Sequence, residues 1–79
     1  MDIKEGSIVT AKAGRDKGGC FVVMKMENGF AYIADGKRRR VENPKKKKLI
    51  HLQSTRSTAD VQNATNREIR KLLNEFKSI

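Results

Sequence analysis

Seventy-nine residues make one small domain, with 37% hydrophobic and 34% charged side chains and a formal net charge of +9. A chain this short buries only about 60% of the surface its unfolded form exposes, so it has room for one modest core and little spare scaffold for a catalytic cleft. The single cysteine, Cys20, cannot close an internal disulfide and fits a reducing, cytoplasmic setting, and no apolar run approaches the roughly 20 residues that span a bilayer.

Met1 is followed by Asp2 and Lys4 with no apolar stretch behind them, which reads against a secretion signal. The first predicted strand covers about Ser7 to Ala13, where Val9, Ala11 and Ala13 alternate with Thr10 and Lys12. It enters the loop "GRDKGG", Gly14 to Gly19, which sets Arg15 and Lys17 among residues that tolerate positive φ. Such a loop suits a phosphate, and it also suits an ordinary tight turn. It is not a nucleotide-hydrolysing loop, since no Ser or Thr follows Lys17 and strands, not a helix, flank it.

The second strand runs from about Cys20 to Met26, with Lys25 outward and Val22, Met24 and Met26 inward. Asn28-Gly29 then signals a type I′ hairpin turn, whose two central residues need positive φ. The third strand, Phe30 to Ala34, buries either Ala31 and Ile33 or Phe30, Tyr32 and Ala34. Asp35-Gly36 reads as a second hairpin turn leading to a fourth strand, Arg38 to Glu42, which Pro44 ends or confines to an edge. The fifth strand is Leu49 to Gln53. Short strands joined by tight turns predict a mainly β fold, a small barrel of about five antiparallel strands over residues 1–53. Its expected core is Ile8 or Val9, Ala11, Val22, Met24, Met26, Ile33, Val41, Ile50 and Leu52.

Residues 54–64 are polar and read as a linker. A C-terminal amphipathic helix follows over residues 65–79. Thr65 and Glu68 have capping-box spacing, and Ile69, Leu72, Leu73 and Phe76 form one apolar stripe. A helix this short is marginal alone, so the stripe packs either on the barrel, the favoured reading, or on a protein partner or a second copy.

Catalysis has no constellation to support it. His51 is the only histidine, and one His with one Cys cannot make a zinc site, so no metal or other cofactor is expected. The charge is more telling. Residues 1–36 hold five basic and five acidic side chains, whereas residues 37–56 hold nine basic residues and one acid. Lys37, Arg38, Arg39 and Arg40 form one run, and Lys45, Lys46, Lys47 and Lys48 another. Guarding an edge strand needs only one or two lysines. Such crowding is offset when the side chains displace counterions from a phosphate backbone. A membrane surface fits less well, because no apolar anchor adjoins the cluster. Small-molecule substrates are not expected either. With only Phe21, Phe30, Tyr32 and Phe76 as aromatics, recognition by charge and shape is favoured over stacking on several bases, and structured RNA is a natural target. Glutamine at Lys45 to Lys48 is then expected to weaken binding to many RNAs alike and to leave the fold intact.

The segment "GSIVTAKAGRDKG" resembles the start of the KOW motif. Together with the apolar run Val22 to Met26 and Asp35-Gly36 it is similar to the "fourteen-E" family of large-subunit ribosomal proteins of archaea and eukaryotes. It is also similar to small bacterial proteins described as KOW-domain RNA-binding proteins. The similarity covers about residues 3–53, leaving the linker and helix outside it. The resemblance implies an SH3-like barrel that binds ribosomal RNA or a ribonucleoprotein. Lys12, Arg15 and Lys17 would touch RNA on the first loop, and Gly14, Gly18 and Gly19 would shape it. The alternative from another class is an SH3-like adaptor for an acidic protein partner, with the helix as a second docking surface.

Overall fold

The computed structural model describes residues 2–77; Met1, Ser78 and Ile79, the ends of the expected barrel and helix segments, lie outside the described residues. Five antiparallel strands form one sheet: β1 (Ser7–Ala11), β2 (Cys20–Glu27), β3 (Phe30–Ala34), β4 (Lys45–Lys48) and β5 (Leu52–Thr58), followed by helix α1 (Asn66–Lys77). The fold is therefore mainly β with a C-terminal helix.

The strand order is β4-β3-β2-β1-β5, so β4 and β5 are opposite edges of the sheet. Laid flat, those edges would lie about 19 Å apart at strand spacings near 4.8 Å. Yet only the 3₁₀ turn Leu49–His51 joins them, and at about 2 Å rise per residue it spans roughly 8 Å. The sheet must curl until its edges approach, and it wraps an inner cluster of Val9, Ala11, Phe21, Val23, Ala31, Ile33 and Leu52.

Two bulges set which side chains enter that cluster. In β2 the register with β3 slips between Val23 and Lys25, leaving Met24 as the extra residue. Phe21 and Val23 face inward before the slip and Met26 after it, while Val22 and Met24 pack on the outer side. The expected parity of Val22, Met24 and Met26 is thus broken, because one bulged residue reverses the alternation. In β5, Thr55, Arg56 and Ser57 lie between the Ser7–Thr58 and Val9–Ser54 pairs. There the Thr55 hydroxyl donates to the Ile8 carbonyl at 2.6 Å, taking the place of a ladder bond.

Asn28 and Gly29 both have positive φ, as the hairpin signal predicts. Asp35-Gly36 behaves differently. The Asp35 carboxylate accepts from the backbone amides of Lys37 and Arg39, and the Arg39 carbonyl accepts from those of Asp35 and Gly36. That self-contained loop consumes the pairing groups a strand would need, so the expected strand at Arg38 to Glu42 does not form. The fourth strand is the lysine run itself. Ser54–Thr58, expected as linker, continues β5, because Ser and Thr suit a half-exposed edge strand. Ile50, expected in the core, is 74% exposed because the 3₁₀ turn rotates it outward.

The helix packs on the outer side of the sheet, where Ile69 and Leu73 join Ile8 and Val22, flanked by Val41, Leu72 and Phe76. Burying Ile69 and Leu73 stabilises the docked helix by about 1.5–3 kcal/mol each. Its start is the expected capping box: Glu68 N–H donates to Thr65 Oγ1 at 3.2 Å, and Thr65 N–H to Glu68 Oε1 at 2.9 Å.

Candidate nucleic-acid interface

The glycine loop between β1 and β2 is closed by its own hydrogen bonds. Gly18 N–H donates to the Ala11 carbonyl at 2.9 Å, Ala11 N–H to Gly19 at 3.0 Å, Lys17 N–H to Gly14 at 3.2 Å and Gly19 N–H to Asp16 at 2.9 Å. Gly14 and Gly18 supply the positive φ that this turn requires. The amides of Lys17, Gly18 and Gly19 are therefore engaged within the loop. The loop is a tight turn that presents side chains, and its main chain at these residues does not cradle an anion.

Asp16, at the tip, holds three basic segments together. Its carboxylate receives the Arg39 guanidinium at both oxygens, Nη2 to Oδ2 at 3.0 Å and Nε to Oδ1 at 3.4 Å. Lys47 Nζ lies 3.9 Å from the same Oδ2 and donates to the Ala13 carbonyl at 2.9 Å. The Asp16 and Lys47 side chains are only 8% and 9% exposed, so both charges are nearly removed from water and depend on these partners. The glycine loop, the loop after Asp35 and strand β4 meet at this point.

Arg39 and Lys47, expected among the phosphate-contacting residues, are corrected to internal partners of Asp16. The sequence marks the position: Asp16 is the single acid between Arg15 and Lys17. What it pairs with, across 23 residues, is set by the fold.

The clasp leaves its neighbours outside. Lys12, Arg15, Lys17, Lys37, Arg38, Lys45 and Lys48 are exposed and, among the described residues, have no carboxylate at ion-pair distance. Arg15 and Lys17 adjoin Asp16 and Arg38 adjoins Arg39, so the convergence of the loops brings these cations close, whereas Lys48, next to Lys47 on a strand, points to the opposite face. Arg40 pairs with Glu42 at 3.2 Å, and Lys46 with Glu27 at 3.9 Å. Both pairs are exposed and screened by water, so phosphate oxygens can replace the carboxylates at small cost.

Strand alternation splits the lysine run. Lys47 opposes Ala31 and shares its inward face, whereas Lys46 and Lys48 oppose Tyr32 and Phe30 on the outer face. That outer face also carries Lys25, paired across β2–β3 with Tyr32. Helix α1 adds Arg70 and Lys77, which line a cleft of about 410 Å³ with Lys37, Asp35, Leu73 and Asn74. Arg70 Nη1 donates to the Gly36 carbonyl at 3.0 Å. Sequence reasoning had selected none of Lys25, Arg70 and Lys77, because strand parity and helix docking decide where they lie.

The helix is also tied to the basic loop through Asn66. Its Oδ1 accepts from Val41 N–H at 2.8 Å and its amide donates to the Glu42 carboxylate. This bond from Asn66, and then that from Arg40, hold the Glu42 carboxyl below its ordinary value. Among the described residues no cluster of three or more His, Cys, Asp or Glu side chains could hold a metal ion, and no helix is long and apolar enough to cross a membrane. Set against known proteins, the chain matches no family model, and no curated protein matches it.

Proposed function

We propose that this is a cytoplasmic RNA-binding protein of the KOW type, an SH3-like barrel with a docked helix. It holds ribosomal RNA or a ribonucleoprotein by backbone and shape and performs no catalysis of its own. One observation carries the reading: the Asp16 clasp draws three basic segments together, while seven exposed cations on or beside those segments have, among the described residues, no carboxylate at ion-pair distance. Self-repulsion of such a rim disfavours the isolated protein and is relieved by a polyanion. Arginine and lysine are both present, a planar fork and a mobile point charge, and this mixture suits phosphate oxygens met at varied angles.

Affinity capture from cell extract, with and without ribonuclease, tests the proposal. Retained material should be RNA, or proteins released by ribonuclease. Protein partners that survive ribonuclease unchanged would replace this reading with an adaptor for an acidic protein.

A further inference from the structure

Two of the four aromatic residues take no part in either apolar cluster. Phe21 is in the inner cluster and Phe76 packs under the helix, whereas Phe30 and Tyr32 stand half-exposed on the outer face of β3. The helix covers the end of that face at Val22 and leaves the other end open. There the strands align in two rows, Glu27, Phe30 and Lys48 in one, Lys25, Tyr32 and Lys46 in the other. Lys46 Nζ stands 4.5 Å from the Phe30 ring centroid and Lys25 Nζ 5.8 Å from that of Tyr32.

We propose that this patch is a stacking site for unpaired nucleotides, with Phe30 and Tyr32 each receiving a base and Lys25, Lys46 and Lys48 meeting the phosphates. The inference rests on the RNA-binding reading and narrows it to strands that are not base-paired. Three lysines against the single carboxylate of Glu27 make the patch complementary to a polyanion. An apolar peptide gains nothing from those charges, and an acidic one makes poor use of the rings. Residues two apart on a strand are separated by about 6.8 Å, twice the 3.4 Å spacing of stacked bases along one nucleic-acid strand. Neighbouring bases must unstack from each other to reach both rings, which a duplex forbids and a flexible single strand allows. The lysines over the rings are on long, exposed stems, 67% and 48% exposed for Lys25 and Lys46, and can swing from ring to phosphate.

Tyr32 is the only tyrosine and the chain has no tryptophan, so intrinsic emission reports this one site. The full chain is titrated with a ten-nucleotide oligouridylate and, separately, with an RNA duplex of the same length. Oligouridylate should quench Tyr32 emission and the duplex should not. Phe30→Leu and Tyr32→Leu should each weaken oligouridylate binding about tenfold, with duplex binding changed less than twofold. Binding of both RNAs with Tyr32 emission untouched overturns the stacking site and leaves the charge-based reading standing. Failure of both RNAs to bind at low salt overturns both readings. The quenching measurement uses the unsubstituted protein, so it decides the matter even if a variant folds poorly.

Discussion

The guanidinium of Arg39 holds both carboxylate oxygens of Asp16, and the two residues lie 23 positions apart in the chain. This pair joins the glycine loop to the arginine run, and Lys47 adds β4 to the same carboxylate. The basic surface is therefore organised around one buried negative charge. Without it, three positively charged segments would have every electrostatic reason to separate.

Removing that charge should be costly. Asp16→Asn leaves the nearly buried Lys47 ammonium without a counterion, and breaking a buried pair from one side costs about 3–5 kcal/mol. Urea denaturation followed by circular dichroism should show a loss at the lower end of that range, since Lys47 keeps its bond to Ala13. Adding Lys47→Met to Asp16→Asn should recover much of it, because an apolar side chain in a buried position no longer needs the partner.

The four lysines of β4 should divide by burial. Lys45→Gln and Lys48→Gln should each weaken RNA binding and leave the denaturation midpoint unchanged, because both are exposed. Lys47→Gln should lower stability by about 1–3 kcal/mol, because the nearly buried Asp16 keeps only Arg39 as a charged partner and the Ala13 carbonyl loses its ammonium donor. The expectation that all four could be replaced without disturbing the fold is revised accordingly: it fails at Lys47, the one of the four that is buried. Equal behaviour of Lys45 and Lys47 in both assays would contradict the burial that separates them.

Detaching the helix should expose the outer core. Leu73→Ala should cost about 2–5 kcal/mol, as expected for a buried leucine, and Thr65→Ala about 1 kcal/mol for loss of the cap. Amide exchange should then speed up first in α1 and next around Ile8 and Val22, which the helix covers. A Leu73→Ala variant as stable as the parent would mean that the helix does not pack there.

Acid should loosen the link between helix and basic loop. The Asn66 amide first, and the Arg40 guanidinium second, favour the charged form of Glu42, so its carboxyl titrates lower in the folded protein than in the unfolded chain. The resulting stabilisation is complete above the ordinary value of 4.5 and disappears as pH falls through the lowered folded value. In an NMR titration, the Val41 amide and the Asn66 side chain should shift together with Glu42 below pH 4.5. A Glu42 that titrates at or above its ordinary value contradicts this arrangement.

Local chemistry made much of the fold legible. Asn28-Gly29 has the positive φ that a tight hairpin needs, and Thr65 with Glu68 forms the reciprocal cap their spacing implies. The features that escaped depend on distant partners. The alternation of β2 follows its residues until the bulge at Met24, which is defined by pairing with β3. Asp35-Gly36 has hairpin composition, but its carboxylate finds backbone amides two and four residues ahead and closes a loop. At the candidate site, the basic runs are plain in the composition. Their division into buried, outward and rim-facing members is not, because it depends on Asp16 and on which face of β3 is covered.

The central claim, that this rim neutralises RNA phosphates, is tested most directly by measuring affinity for a structured RNA across a salt series. If about five of the exposed cations meet phosphates, log K should fall by about 3.5–4.5 for each unit of log salt, at 0.7–0.9 per contact. A slope below one unit would contradict the account.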